Sequence, residues 1–239
     1  MIKNKINILI FGILFFGFSQ LSQSQLVNPV VSITGSVMDA STRQPVTAIM
    51  IVTNEKGKRI NATRSNGSDN GYYYLTSLKP GRKYTITVSS KYYLKEKYTF
   101  VIAKAYKYTE LSHDFLIMPL VEGAEIPLSF APFELNKAKL RYGADYVLDG
   151  IKSTMLTNPN IKFQIVCYPD ANGNVSHNQQ LTLERAKSIQ KYLVANGIDI
   201  SRISVKGNKR TDPKNPPPKK KKAKGKRYIG TTYIKIVEI

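Results

Sequence analysis

Few side chains in this chain could do chemistry. Its 239 residues hold two histidines, His113 and His177, and one cysteine, Cys167. Neither histidine sits in a His-x-x-Glu or His-Glu-x-x-His pattern, so a zinc peptidase centre lacks its ligands. The sequence offers no Ser-His-Asp set and no phosphate-cradling glycine loop. Cys167 has no sequence-adjacent base to activate it, and alone it forms no disulfide within one molecule. The reading is a non-enzymatic protein with no catalytic residue, metal or cofactor. What remains is a pair of opposite charges, Asp170 and Arg185, fifteen residues apart. On spacing alone they read as a surface ion pair worth about 0–1 kcal/mol.

Formal net charge is +20, which predicts attraction to polyanions. The first 25 residues have the three-part layout of a signal peptide. Lys3 and Lys5 start it, an apolar stretch runs from Ile6 to Phe18, and Ser22-Gln23-Ser24 offers a cleavage site. That stretch is short against the ~20 residues a bilayer-spanning helix needs. No cysteine follows it, so a lipoprotein anchor is not expected. Export to the periplasm is the expectation.

Two segments must position whatever site exists. Residues 30–121 are dense in β-branched and aromatic residues, punctuated by Gly, Asn and Pro turns. Strands are predicted over Val31–Met38, Ala48–Thr53, Tyr72–Thr76 and Lys83–Ser89, with further strands near Val101 and Phe115–Pro119. The prediction is an all-β antiparallel sandwich. Gly35-Ser-Val-Met-Asp39, Thr42-Arg-Gln-Pro45, Gly71-Tyr-Tyr-Tyr74, Leu78-Lys-Pro-Gly81 and Tyr84-Thr-Ile-Thr-Val88 resemble the carboxypeptidase-regulatory-like (transthyretin-like) fold. That resemblance implies a spacer or a docking surface.

In residues 122–239 the period changes. A strand is predicted over Ile126–Phe133 and a helix over Asn136–Leu156, with Leu140, Ala144, Val147, Ile151 and Met155 on one face. Pro159 stops that helix. Ile161–Cys167 alternates as a buried strand, Tyr168–Gln180 reads as a polar loop, and Thr182–Asn196 as a second helix ending at Gly197. Strands at Ile203–Val205 and Tyr228–Ile239 complete a β-α-β-α-β-β order: an α+β sandwich, two helices on one face of a sheet.

Several stretches of this segment are similar to OmpA-like domains. Phe133-x-x-x-x-Ala138-x-Leu140 resembles the opening of such a domain, and Asn158-Pro-Asn-Ile-Lys-Phe-Gln-Ile165 its entry to the second strand. Asp170-x-x-Gly173 followed by Asn178-x-x-Leu181-Thr182-x-x-Arg185-Ala186 resembles the family's central motif. The resemblance implies a ligand, the stem peptide of peptidoglycan at its diaminopimelate residue, and a site made of Asp170, Gly173, Asn178, Thr182 and Arg185. Asp170 would meet the ligand ammonium, and Arg185 would grip its carboxylate bidentately across a gap sized for the zwitterion. Thr182 would be the N-cap, with Arg185 in the first helical turn, and Asn178 would order the loop or touch the ligand. Pro169, just before Asp170, and Arg227-Tyr-Ile-Gly230, where the family often carries an Asn-Arg-Arg cluster, depart from the pattern. The two-domain pairing resembles envelope proteins of Bacteroidota, some of them in secretion or gliding machinery. It implies association with the outer membrane or cell wall.

Between the last two strands, residues 206–227 hold eleven Lys and Arg against Asp212 alone. Pro213 and Pro216–Pro218 oppose regular structure, so a mobile loop is expected. Lys219, Lys220, Lys221 and Lys222 are candidates for contact with anionic lipid or lipopolysaccharide phosphate. Nucleic acid is not an expected partner, because the protein is read as exported and no stacking aromatic precedes Tyr228.

Overall fold

The computed structural model describes residues 29–218 and 227–239. The predicted signal peptide and Lys219–Lys222 lie outside the described residues.

The first domain holds eight strands: β1 (Val31–Asp39), β2 (Ile49–Asn54), β3 (Arg59–Arg64), β4 (Tyr72–Leu78), β5 (Lys83–Ser89), β6 (Glu96–Val101), β7 (Thr109–Ser112) and β8 (Phe115–Ile117). They form two sheets. One runs β4-β1-β7 with β8 also on β1, and the other runs β3-β2-β5-β6. Alternation drives the packing. In β5, Tyr84, Ile86 and Val88 turn inward while Lys83, Thr85 and Thr87 face outward. Ile33, Val37, Met50, Leu75 and Phe115 join them in a core closed to solvent. Gly71, at φ +71°, lies under Val37, where a Cβ would meet the Val37 carbonyl oxygen at 2.3 Å, so only glycine fits.

Two expectations need correction. The sandwich is not wholly antiparallel, because β1 pairs parallel with both β7 and β8. Chain leaving β6 on the second sheet crosses over before β7, and a crossover permits parallel pairing. Strand β3 was also not predicted. It reads Arg-Ile-Asn-Ala-Thr-Arg, lies at a sheet edge and buries no residue fully, so it lacks an alternating apolar signature.

The second domain follows the predicted order: β9 (Glu125–Pro127), α1 (Ala144–Thr157), β10 (Lys162–Cys167), α2 (Val175–Ala195), β11 (Ile203–Gly207) and β12 (Thr232–Glu238). The sheet order is β11-β10-β12-β9, with β10 and β11 parallel and the remaining pairs antiparallel. Phe163, Ile165 and Cys167 from β10, with Ile234 and Ile236 from β12, pack against Leu148 and Met155 of α1 and Ala186, Ile189 and Leu193 of α2. The first strand stops at Pro127, and α1 begins eight residues later than the spacing suggested. Residues 128–143 form an irregular loop between them.

The two cores share a seam. Leu94, from the chain between β5 and β6, is fully buried in the second core, where Met118 and Leu120 also pack. Asn158, at the C-cap of α1, brackets Lys95. Its Oδ1 accepts from the Lys95 backbone N–H at 3.0 Å, and its Nδ2 donates to the Lys95 carbonyl at 2.8 Å.

Candidate functional site

Asp170 lies three residues past the end of β10, on a turn held against the start of β12. Tyr168 N–H donates to the Thr231 carbonyl at 3.0 Å. Gly230 lets the two backbones approach, since a Cβ there would lie 1.9 Å from the Tyr168 carbonyl oxygen. Gly230 N–H then donates to Asp170 Oδ1 at 2.8 Å.

Arg185 reaches the same carboxylate from α2. Its Nη1 donates to Oδ1 at 2.6 Å and its Nη2 to Oδ2 at 2.8 Å, the bidentate fork of a guanidinium on a carboxylate. Its Nε donates to the Lys137 carbonyl at 2.9 Å and its Nη2 to the Glu134 carbonyl at 3.0 Å. The guanidinium carbon lies 5.1 Å from the Phe133 ring centroid. Asp170 Oδ2 also accepts from Asn136 N–H at 2.8 Å. Asn136 stands at φ +54°, a conformation Asn tolerates better than most residues. The Arg185 side chain is 0 % exposed and that of Asp170 3 %. At that burial each charge needs full compensation, and the four segments around the pair supply it. Burial alone would raise the Asp170 carboxyl, but the hydrogen bonds from Arg185, Asn136 and Gly230 hold it below the ordinary value.

This geometry revises the expected one. Asp170 and Arg185 do converge, yet with no gap between them. A buried pair held apart would leave both charges unpaired. Helix α2 starts at Val175, so Arg185 lies well inside it and away from its free N–H groups. The N-cap is Asn174, whose Oδ1 accepts from His177 N–H at 3.0 Å. Thr182 is therefore not a cap. It is buried within α2, its hydroxyl 2.9 Å from the carbonyls of both Asn178 and Asn208. Asn178 Nδ2 donates to the carbonyls of Ala171 and Lys209 at 2.9 and 3.1 Å, stapling the Asp170 turn to the chain after β11. Gly173 stands apart on an exposed turn with open space around it.

The chain after β11 is also better held than its composition suggested. Tyr233 donates to Asp212 Oδ2 at 2.6 Å, with Asp212 fully buried. Thr211 N–H donates to Asn172 Oδ1 at 2.9 Å, and Asn215 Nδ2 to Thr231 Oγ1 at 2.9 Å. Residues 206–215 are thus part of the domain, and their Lys and Arg side chains radiate from a fixed backbone.

On the far side of the Glu134 and Lys137 backbone opens a cavity of about 700 Å³, lined by Phe130, Ala131, Phe133, Glu134, Leu135, Lys137 and Arg141 together with Arg227 and Ile229. Glu134 and Lys137, whose carbonyls cap Arg185, also line it and pair with each other through their side chains. That contact lowers the Glu134 carboxyl. The Arg141 guanidinium stacks 5.1 Å from the Phe130 ring. Neither Arg141 nor Glu134 was singled out in the sequence, although both lie in or beside the Phe133–Leu140 motif. Arg227 was noted only as a departure, yet it places a cation on this cavity.

A model of the OmpA family matches residues 132–227. These residues form an OmpA-like domain. The match contains the ion pair, most of the cavity wall and both helices. Outer membrane protein A of Klebsiella aerogenes is 37 % identical over 84 residues, which is 34 % of this chain and 24 % of that protein. Outer membrane protein P5 of Haemophilus influenzae is 33 % identical over 81 residues, 34 % of this chain and 23 % of that protein. The chain thus spans about a quarter of the length of these curated relatives. Among solved structures, the OmpA-like domain of FopA1 from Francisella tularensis aligns at a TM-score of 0.34 and 15 % identity, over 49 % of this chain and 82 % of that one. The assignment rests on the sequence match. Among the described residues, no helix is long and apolar enough to cross a membrane.

Proposed function

We propose that the OmpA-like domain binds the stem peptide of peptidoglycan at its diaminopimelate residue, anchoring an exported envelope protein to the wall without catalysis. The observation that carries this reading is the cavity beside the Asp170–Arg185 pair, edged by the cations of Arg141, Arg227 and Lys137 with the Glu134 carboxylate among them. Its volume suits a peptide end, and its rim offers both signs a zwitterion needs. The arginines would take the ligand carboxylates, and Glu134 the ammonium. Asp170 and Arg185 lie behind that lining, tied to it where Arg185 donates to the carbonyls of Lys137 and Glu134. A ligand carboxylate reaches Arg185 directly only by displacing the carbonyl of Glu134 or Lys137. Asn178 staples the Asp170 turn to the chain after β11, Thr182 holds α2 against that same chain, and Gly173 leaves the outer side of the turn open to a ligand. In this setting the protein belongs to the periplasm, at the outer membrane or wall, with the first domain free to engage outer-membrane, secretion or motility components.

One observation favours a second reading. The ion pair is already saturated, as a structural keystone would be, so the chain could be an envelope scaffold with a degenerate wall site, held by protein contacts and anionic lipid. Retention of diaminopimelate-containing muropeptides separates the two. Arg141→Glu and Arg227→Glu, both at exposed positions, are expected to cut retention about tenfold while the melting temperature stays put. No retention by the unaltered protein, or equal retention by both variants, refutes the cavity as the site and leaves the scaffold.

A further inference from the structure

The outward face of the β4-β1-β7 sheet differs from the rest of this cationic protein. β1 pairs Ser36 with Tyr72 and Thr34 with Tyr74 on β4, and Ser32 with Glu110 and Thr34 with Ser112 on β7. Inward, Ile33, Val37, Tyr73 and Leu75 fill the core. Outward, every one of these positions carries a hydroxyl except Glu110, and none carries a cation. In a chain of formal charge +20, a cation-free sheet face attracts polyanions least.

The hydroxyls are organised. Ser32 Oγ donates to Thr76 Oγ1 at 2.9 Å and lies 3.0 Å from the Tyr74 hydroxyl. Tyr74 and Tyr108 hydroxyls meet at 3.5 Å, and Tyr108 donates to Glu110 at 3.0 Å. Thr34 donates to the other Glu110 oxygen at 3.3 Å. Tyr72, Tyr74 and Tyr108 remain 45, 42 and 51 % exposed, so their rings are available, with the hydroxyls of Tyr74 and Tyr108 pinned. Such rings are pre-oriented apolar plates, amphipathic and poor in rotamer entropy to lose. Tyr72 and Tyr74, two residues apart on one strand, stand about 7 Å from each other along it.

We propose that this face binds the glycan strand of the cell wall, a chain of N-acetylated hexosamines. Pyranose rings present C–H faces that stack on tyrosine. Their hydroxyl and acetamide groups both donate and accept, which matches the hydroxyls of Thr34, Ser36 and Ser112 around the Glu110 carboxylate, while Ser32 is buried and only holds Tyr74 and Thr76 in place. A strand whose lactyl groups are amide-linked to peptide carries no charge of its own there, so a face without cations suits it. An open sheet face matches an extended polymer rather than an enclosed small molecule. The proposal rests on the wall-binding reading but uses a different domain and a different part of the polymer.

Titration of the full chain with tetra-N-acetylchitotetraose, which has no stem peptide, isolates this face. Tyr ring resonances followed by NMR should shift for Tyr72, Tyr74 and Tyr108. Affinity should fall about tenfold in Tyr72→Ala and Tyr108→Ala. Tyr108→Phe, which keeps the ring, should retain most of it and guards against a folding artefact. Retention of a sugar-free stem peptide through the cavity should be unaffected by these variants. Absence of shifts at the three tyrosines, equal affinity in the alanine variants, or saturation of the face by a co-purifying protein in place of the sugar overturns the proposal. Failure of the cavity variants with success here leaves the glycan face standing alone.

Discussion

Arg185 meets Asp170 end to end, two nitrogens on two oxygens, at the point where the loop after β9, the turn after β10 and the start of β12 converge on α2. Removing one partner leaves the other charge buried without compensation. Arg185→Ala should destabilise the second domain by about 3–5 kcal/mol, read from urea unfolding of the full chain. Arg185→Lys should recover little, because an ammonium cannot span both carboxylate oxygens and two carbonyls at once. A loss below about 1 kcal/mol would show that the pair behaves as an exposed one.

The same pair sets a pH dependence. Asp170 has a folded-state pKa depressed below its ordinary value of 3.8, since hydrogen bonds outweigh the burial that acts to raise it. Its contribution is therefore complete above the unfolded value and is lost as pH falls through the folded one. Melting temperature should drop as pH is lowered below about 4. Asp170→Asn should start lower and respond less over that range. An equal acid slope in wild type and variant would assign the effect to other carboxyls.

Cys167 gives an independent probe of the second core. Burial pushes its thiol up to about 12, and the Thr232 hydroxyl beside it at 3.5 Å only partly offsets that. Alkylation by iodoacetamide at neutral pH should be negligible in the folded protein and rapid in denaturant. Fast labelling under native conditions would mean that β10 opens locally.

Leu94 should matter to a core it does not adjoin in sequence. Leu94→Ala should cost about 2–5 kcal/mol. Hydrogen exchange should locate the loss in α1 and β10 as well as in the neighbouring β6. Exchange that rises only among β1–β8 would show that the seam does not couple the domains.

Much of this architecture was legible. Alternation in Lys83–Ser89 and Ile161–Cys167, and the spacing of Val147, Ile151 and Met155, marked elements that each turn one face to a core, and burial enforces such patterns. The helix starts were not. Residues 175–180 make the first turns of α2 but are mostly solvent-exposed, so they carry no apolar stripe to mark the helix. Asp170 and Arg185 could be paired from their motif, but not closed on each other. That closure depends on carbonyls of Glu134 and Lys137, and on the N–H groups of Asn136 and Gly230, which any residue type would supply. Backbone groups leave no trace in composition.

Asn158 holds Lys95 by both its N–H and its carbonyl, with Leu94 seated beside it in the neighbouring core. No slack linker separates the units at this seam. A pull on one unit would reach the other through a short, stiff path, and the tyrosine face and the cavity would keep a set distance and angle. The molecule could then act as a strut rather than a tether, transmitting torque as well as tension.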